Sequence, residues 1–472
     1  MVHTSRYIFI SFVLLLIYSM IFALTLNNSI SITNVDVVSV FVIIQFTFTI
    51  YSWNKLRGTI FDAYIVFTLV FYIFNLSQPV LETTSLAVEF RRLWGEGYGI
   101  SNRLYYMASY FSLASANVFY IGSLLSLDDH KNTPIRPLYN RTQYLNAFRR
   151  TSIVFCIISG PFYLYNLVQN FFIVKVMGYA GIYEMANVNR GYAIIGDMYE
   201  PAMLAFFSSC MLLKNKIRLA TFFIVLTMFL PPLVIGGRAN AMMVLAIIFI
   251  IVSCTSKINI RKLAVVGIVG VVMLYVMNII ATTRTDVGKS YQDIADAAKE
   301  NENPVVSTIQ EMGWSMYPLA LTMEVVPDKK DYAYGSSFFW AGISLVPNIG
   351  LWNGEHPGKK NDPAEWLNDY SQEGYGIGYS MTAGAYNEFG YMGLLLIMLY
   401  GYVFCKIFSN VSPTCAVEKP VQFIVALIFL WFSIRFVRNS LNGLSRGLVY
   451  YLFPLIFVSK HIYQKKKHYG KQ

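Results

Sequence analysis

Apolar runs of about 15 to 20 residues recur along this chain from Ile8 to Val458. That recurrence constrains the fold more than any other feature. A helix needs about 20 mainly apolar residues to cross the hydrocarbon core of a bilayer, so the solvent for most of this chain is lipid. Composition agrees. Only 13% of the 472 residues are charged, against about 25% in soluble domains, and the mean hydropathy is +0.48. These values exclude an ordinary cytosolic enzyme. The formal charge of +11 is not gathered in one soluble stretch, and no zinc-finger, P-loop or GxGxxG signature is present. Cys156, Cys210, Cys254, Cys405 and Cys415 show no metal-ligand spacing. The reading is an all-α, polytopic integral membrane protein.

Uninterrupted apolar stretches place twelve spans, at 7–26, 35–52, 60–77, 104–127, 151–174, 193–213, 218–236, 239–254, 263–281, 381–404, 421–438 and 443–459. The first follows Arg6 without a small-residue cleavage site and is read as an anchor. Lys and Arg choose the orientation. With the N-terminus inside, the inner segments carry 21 Lys/Arg and four acids, and the outer segments carry 16 and 22. Basic residues favour the cytoplasmic side, so both termini are expected there and the basic balance requires no nucleic acid. All five Cys then fall on the cytoplasmic side or in the inner half of a span. Three regions follow: spans one to nine (1–281), one large outer loop with interfacial helices (282–380), and spans ten to twelve with a basic cytoplasmic tail (381–472).

Most loops are short, and the long one carries the soluble mass. It alternates charged stretches with apolar segments at Gly313–Val326 and Phe338–Ile349, which are too short to span and read as interfacial or re-entrant helices. Four of the seven Trp (314, 340, 352, 366) fall in it. They fit an interfacial aromatic belt. Trp352 and Trp366, flanking the polar stretch Asn353–Glu365, also fit a platform for sugar rings, a role to which Tyr379 is added. A smaller outer loop, Pro79–Arg103, reads as a solvated cap.

Six arginines stand at outer ends of spans: Arg190, Arg238, Arg284, Arg435, Arg438 and Arg446. Arg238 follows Gly236-Gly237 in a tight turn, and Arg435 and Arg438 share one helix face. An arginine near a helix end can snorkel to the interface or pair with an acid such as Asp197 or Glu200. A planar guanidinium also holds phosphate with two hydrogen bonds. Six on one membrane face suit a diphosphate at headgroup depth.

The stretch Gly374-Tyr-Gly376-Ile-Gly378-Tyr-Ser380 followed by Ala383-Gly-Ala-Tyr386-Asn-Glu388-Phe389-Gly390 and Gly393 precedes a late span. It resembles the G-x-G-[FY]-S…A-E-x-Y-x-N-F-G…G stretch of bacterial O-antigen polymerases, the Wzy family. The Gly-Gly-Arg238 turn and the Arg435, Arg438, Arg446 helix pair also look like that family. Two positions depart from it. Gly384 stands where the family usually has Glu, and Glu388 where it usually has Asn. The two sites lie four apart, stacked on one face of a helix. Either the carboxylate has moved by one turn, or the acid has another role here.

The resemblance implies a GT-C-like, metal-independent glycosyltransferase of the bacterial inner membrane, requiring no cofactor. It would polymerise repeat units carried on undecaprenyl diphosphate into O-antigen or a similar surface polysaccharide, on the outer face. A chain-length regulator and a flippase are the partners that this implies. The arginines would stabilise the leaving diphosphate. A base for the incoming hydroxyl would come from Glu388, His356, Glu311, Asp197 or Glu200, with Glu388 and His356 foremost. The alternatives are an O-antigen ligase, which shares the large outer loop, and a lipid-linked oligosaccharide flippase or other transporter. A transporter is expected to hold its polar groups near the midplane. The sugars and their linkage are not legible in the sequence.

Overall fold

A computed structural model describes residues 2–26, 34–59, 62–86, 100–129, 141–177, 190–235, 238–255, 303–346, 352, 356–371 and 377–469. Among these residues every regular element is helical. Seven helices are long and apolar enough to cross a membrane, and three more are apolar but shorter (Ile217–Phe229, Asn240–Thr255, Pro420–Phe436). Eleven of the twelve expected spans fall on helices. The ninth, at 263–281, lies outside the described residues.

Two expected spans are interrupted. The sixth consists of Arg190–Asp197 and Tyr199–Leu213, and the tenth of Met381–Phe389 and Gly393–Phe408, with a single 3-10 turn between the latter two. The second break has a visible cause. Gly390 takes φ +58 and ψ −134, a conformation open to glycine and to almost nothing else.

The chain forms two compact units. The first comprises Met1–Pro134, Val306–Ser409 and Phe432–Arg446. Its axis is the pair Asn102–Asp129 and Gly393–Phe408, whose backbones touch. A Cβ on Gly122 would meet the Met398 carbonyl, one on Gly401 the Phe119 carbonyl, and Ser123 Oγ donates to the Gly401 carbonyl at 3.2 Å. Small residues that let backbones approach are the usual means of helix association where lipid removes the hydrophobic drive. Neighbouring helices are tied by buried polar side chains. Gln45 Oε1 accepts from Tyr18 Oη at 2.8 Å and from Asn117 Nδ2 at 3.1 Å. Asp62 caps Ala63–Thr83 through the Tyr64 amide at 2.9 Å and pairs with Arg57 Nε at 3.3 Å.

The described residues of the 282–380 connection from Val306 onward belong to this unit and add to its core. The apolar segment expected at Gly313–Val326 is a 3-10 turn, Trp314–Met316, followed by the helix Tyr317–Val325, buried over nearly its whole length. It packs on Met381–Phe389 and Asn102–Asp129. The second apolar segment is the helix Ser336–Ile343.

The second unit comprises Ile135–Val305, Asn410–Trp431 and Gly447–Gln472. Its spine is Arg141–Met177, 37 residues long, packed by Tyr199–Leu213 and Phe453–Tyr469. A π turn at Val225–Phe229 precedes Pro231. Proline has no N–H to offer the carbonyl four residues back, which is that of Thr227. Tyr163 Oη donates to that carbonyl instead at 3.0 Å, and Tyr199 Oη to Thr227 Oγ1 at 3.1 Å.

Candidate active site

The helix Met381–Phe389 is built to present one carboxylate. Ser380 caps its start, with Oγ accepting from the Ala383 amide at 3.1 Å. At its other end the turn 333–335 runs alongside, the Ala333 amide donating to the Asn387 carbonyl at 2.8 Å and the Tyr334 amide to the Glu388 carbonyl at 3.0 Å. The Gly335 amide then donates to Glu388 Oε2 at 2.6 Å. Gly335 is the N-cap of Ser336–Ile343, so the carboxylate lies at a helix N-terminus, where the partial positive charge suits an anion. Glu388 is only 3% exposed, and its Oε1 has no hydrogen-bond partner among the described residues. A buried acceptor left open in this way calls for a ligand or a water.

That carboxylate lines a cavity within the first unit, together with Ser337, Tyr379, Ser380, Gly384, Tyr400 and the turn Asn439–Asn442. The room left for water-sized groups is about 30 Å³, enough for one or two waters or a hydroxyl-bearing arm. Gly384 and Glu388 face the same cavity, as their spacing predicts. A Cβ on Gly384 would meet only Tyr379 Cε1, at an ordinary 3.6 Å, so the glycine leaves space that a side chain would occupy.

The expected site residues divide into several groups. Arg435, Arg438 and Arg446 flank the segment Asn439–Asn442, a turn running into the helix Leu441–Arg446, and do not themselves line the cavity. Arg435 and Arg438 do not share a helix face as expected, because the helix Pro420–Phe436 ends between them. Arg438 is exposed with its guanidinium 6.0 Å from the centre of the Phe74 ring, and Arg446 Nε donates to the Ser344 carbonyl at 3.3 Å. Arg190 and Arg238 open helices of the second unit, Arg190–Asp197 and Arg238–Thr255. Arg284 and the Gly236-Gly237 turn lie outside the described residues, as does most of the Pro79–Arg103 loop.

His356 does not line the cavity. Both its ring nitrogens are engaged. Nδ1 accepts from the Gly358 amide at 3.0 Å, which makes Nε2 the protonated nitrogen, and Nε2 lies 2.8 Å from the Val346 carbonyl. Trp352 meets the imidazole edge-on at 4.5 Å. Trp366 is partly buried against the core, with Lys330 Nζ 4.4 Å from its ring centre. Tyr379 is buried and lines the cavity, and its hydroxyl, beside Thr322, has no hydrogen-bond partner among the described residues. Burial pushes that phenol well above its ordinary range.

A family model for O-antigen polysaccharide polymerase Wzy matches residues 7–471. The chain belongs to the Wzy family. Neither the curated proteins nor the solved structures give a match. Wzy membership makes this a multi-pass inner-membrane protein of O-antigen polymerisation, with a glycosyltransferase-like activity on lipid-linked oligosaccharides.

One residue that sequence reasoning passed over stands beside this Wzy cavity. Asp362 Oδ2 accepts from Ser440 Oγ at 2.9 Å and from Asn442 Nδ2 at 2.6 Å. Its Oδ1 accepts from the Ala364 amide at 3.0 Å. The sequence does hold a signal, Asp362-Pro363, the signature of an N-cap before a helix that starts with proline. It announces the cap and nothing of the second oxygen.

Proposed function

We propose that this chain joins oligosaccharide repeat units carried on undecaprenyl diphosphate, at the outer face of the inner membrane, without a metal. The acceptor is a sugar hydroxyl on one lipid-linked repeat unit. Its oxygen attacks the anomeric carbon of the donor glycan, the bond from that carbon to the diphosphate oxygen breaks, and the electron pair leaves with the lipid diphosphate. The hydroxyl proton passes to Glu388. Arg435, Arg438 and Arg446 hold the departing diphosphate; Arg190, Arg238 and Arg284 remain candidates from sequence for the same chemistry. Charge-matched donors for a leaving group are among the largest catalytic terms available to such a site.

The observation that carries this reading is the divided carboxylate. Glu388 lines the cavity with one oxygen anchored on a helix N-terminus and the other without a hydrogen-bond partner among the described residues, near Ser337 and beside a segment flanked by three arginines. An orienting group alone would not need to be ionised, so Glu388→Gln separates the roles. General-base catalysis is typically worth about 10²–10⁴-fold, and Glu388→Gln is expected to lose polymerisation on that scale while the protein reaches the membrane in normal amount. The combination Gly384→Glu with Glu388→Asn returns a carboxylate to the same cavity and is expected to recover part of the activity. Purified protein given lipid-linked repeat units alone should lengthen the glycan; a ligase would not. Full ladders from Glu388→Gln and Glu388→Asn would sink the assignment.

A further inference from the structure

Residues 344–362 of the long connection are fastened to the segment 440–446 through Asp362, which does not line the cavity, and through Ser440 and Asn442, which do. Asn442 Nδ2, besides reaching Asp362, donates to the Gly358 carbonyl at 3.0 Å, and Arg446 Nε donates to the Ser344 carbonyl at 3.3 Å. With the Ser440 bond to Asp362, these contacts join residues 344–362 to residues 440–446. Asp362 is their centre, because one carboxylate accepts from both Ser440 and Asn442 while capping the helix Pro363–Ser371. Hydrogen bonds to a charged acceptor are about twice as strong as neutral ones. Asn361 and Pro363 line the cavity and Asp362 does not, whereas Asn439, Ser440 and Asn442 do.

We propose that Asp362 is a positioning residue of the transfer site, holding the turn 439–442 and the flanking Arg446 in register with the cavity that contains Glu388. This rests on the reading of that cavity given above. The carboxylate acts through Ser440 and Asn442 and touches no substrate. Pinning this turn matters because a guanidinium fork recognises phosphate only in a narrow geometry, and a small misplacement of a binding group is enough to lose much of its effect.

The cap and the clasp can be separated by one substitution. Serine is as good an N-cap as aspartate, but its short hydroxyl cannot also reach Ser440 and Asn442. Asp362→Ser therefore keeps the helix and releases the turn. In purified protein, Asp362→Ser is expected to melt within a few degrees of wild type, yet to show a KM for lipid-linked repeat unit raised roughly ten-fold or more, the usual scale for losing a charge-assisted contact. Asn442→Ala should show the same KM shift, and the double variant should be no worse than the poorer single one. Wild-type KM and kcat in Asp362→Ser, with Glu388→Gln inactive, would overturn the clasp and leave the site reading standing. Wild-type kinetics in both would overturn both. A lower melting temperature with unchanged KM would make Asp362 a stabilising residue only and would also overturn the proposal.

Discussion

The helices Thr4–Leu24 and Asn102–Leu127 belong to the same unit and both qualify as membrane spans, yet 11% of an 18-residue apolar stretch of the first is buried inside the protein against 89% of such a stretch of the second. The more apolar of the two is the less buried. In a soluble protein the order would be the reverse. Where lipid is the solvent, apolar side chains gain nothing by turning inward, and protein contacts go instead to helices with small and polar residues. Asn102–Asp129 accordingly buries Ser109, Ser112, Ser115, Asn117, Ser123 and Ser126, while Phe9, Leu16 and Met20 of the first helix are left exposed. Packing between helices therefore concentrates on the less apolar of the two.

The largest effect should come from crowding the packed side. Gly122→Leu places a side chain against the Met398 carbonyl, where even a Cβ does not fit. Overpacking costs about 1–3 kcal/mol where side chains can shift, and here the obstacle is backbone. We expect the variant to fail to accumulate as folded protein, by fluorescence-detected size exclusion in mild detergent. Phe9→Leu on the lipid side, at a residue 69% exposed, should be indistinguishable from wild type. Equal behaviour of the two would break the comparison.

Next come the arginines. If Arg438 and Arg446 hold a diphosphate, lysine cannot replace the bidentate fork. Arg438→Lys or Arg446→Lys is expected to lower the polymerisation rate roughly 10- to 150-fold, the equivalent of about 1.5–3 kcal/mol. Chain-length ladders at native expression, with membrane protein amounts checked, provide the measurement. Normal ladders from both would assign these residues to snorkelling.

A smaller effect tests the polar side of the same packing. Gln45→Leu removes the acceptor shared by Tyr18 and Asn117. Polar contacts between membrane helices are worth about 0.6–2 kcal/mol, so a loss of about 1 kcal/mol in unfolding free energy is expected, without a change in activity per folded molecule. A gain in stability would mean that the network is retained for something other than strength.

These particulars also show what the sequence could reveal. Apolar length placed eleven expected spans on helices, seven of them long and apolar enough to cross a membrane, because crossing lipid imposes that length and local residues satisfy it. The motif brought Gly384 and Glu388 to one cavity, because their four-residue spacing is a property of any helix. The interruption at Gly390 was less legible, since a glycine in an apolar run is common and its positive φ is set by the chain on either side. His356 and Asp362 were the hardest to read. His356 is engaged by Val346 and Gly358, and Asp362 by residues about 80 positions away. No local pattern records Val346, Ser440 or Asn442 as partners. Chemistry that depends on which polar atoms are left open is visible only once the others have been paired.

The smallest predicted effect lies at Asp362, in the 282–380 connection, on neither side of the helix comparison. Burial pushes this carboxyl above the usual aspartate range, opposed by its bonds to Ala364, Ser440 and Asn442 and by the charge of Arg446. The folded protein therefore holds the proton at pH values where the unfolded chain has released it. Between the unfolded value, about 3.9, and the higher folded one, the native state binds more protons, so stability falls as pH rises. The contribution is full below the unfolded value and lost on passing through the folded one. Asp362→Ser has no such group. The stability of wild type relative to that variant should thus decline as pH is raised from about 4, measured by denaturant unfolding of both proteins in one detergent. The slope depends on the difference in protonation between the two states and not on the strength of the clasp. A relative stability that rises with pH would mean that Arg446 and the donors outweigh burial, and that the carboxylate is held ionised in the folded protein.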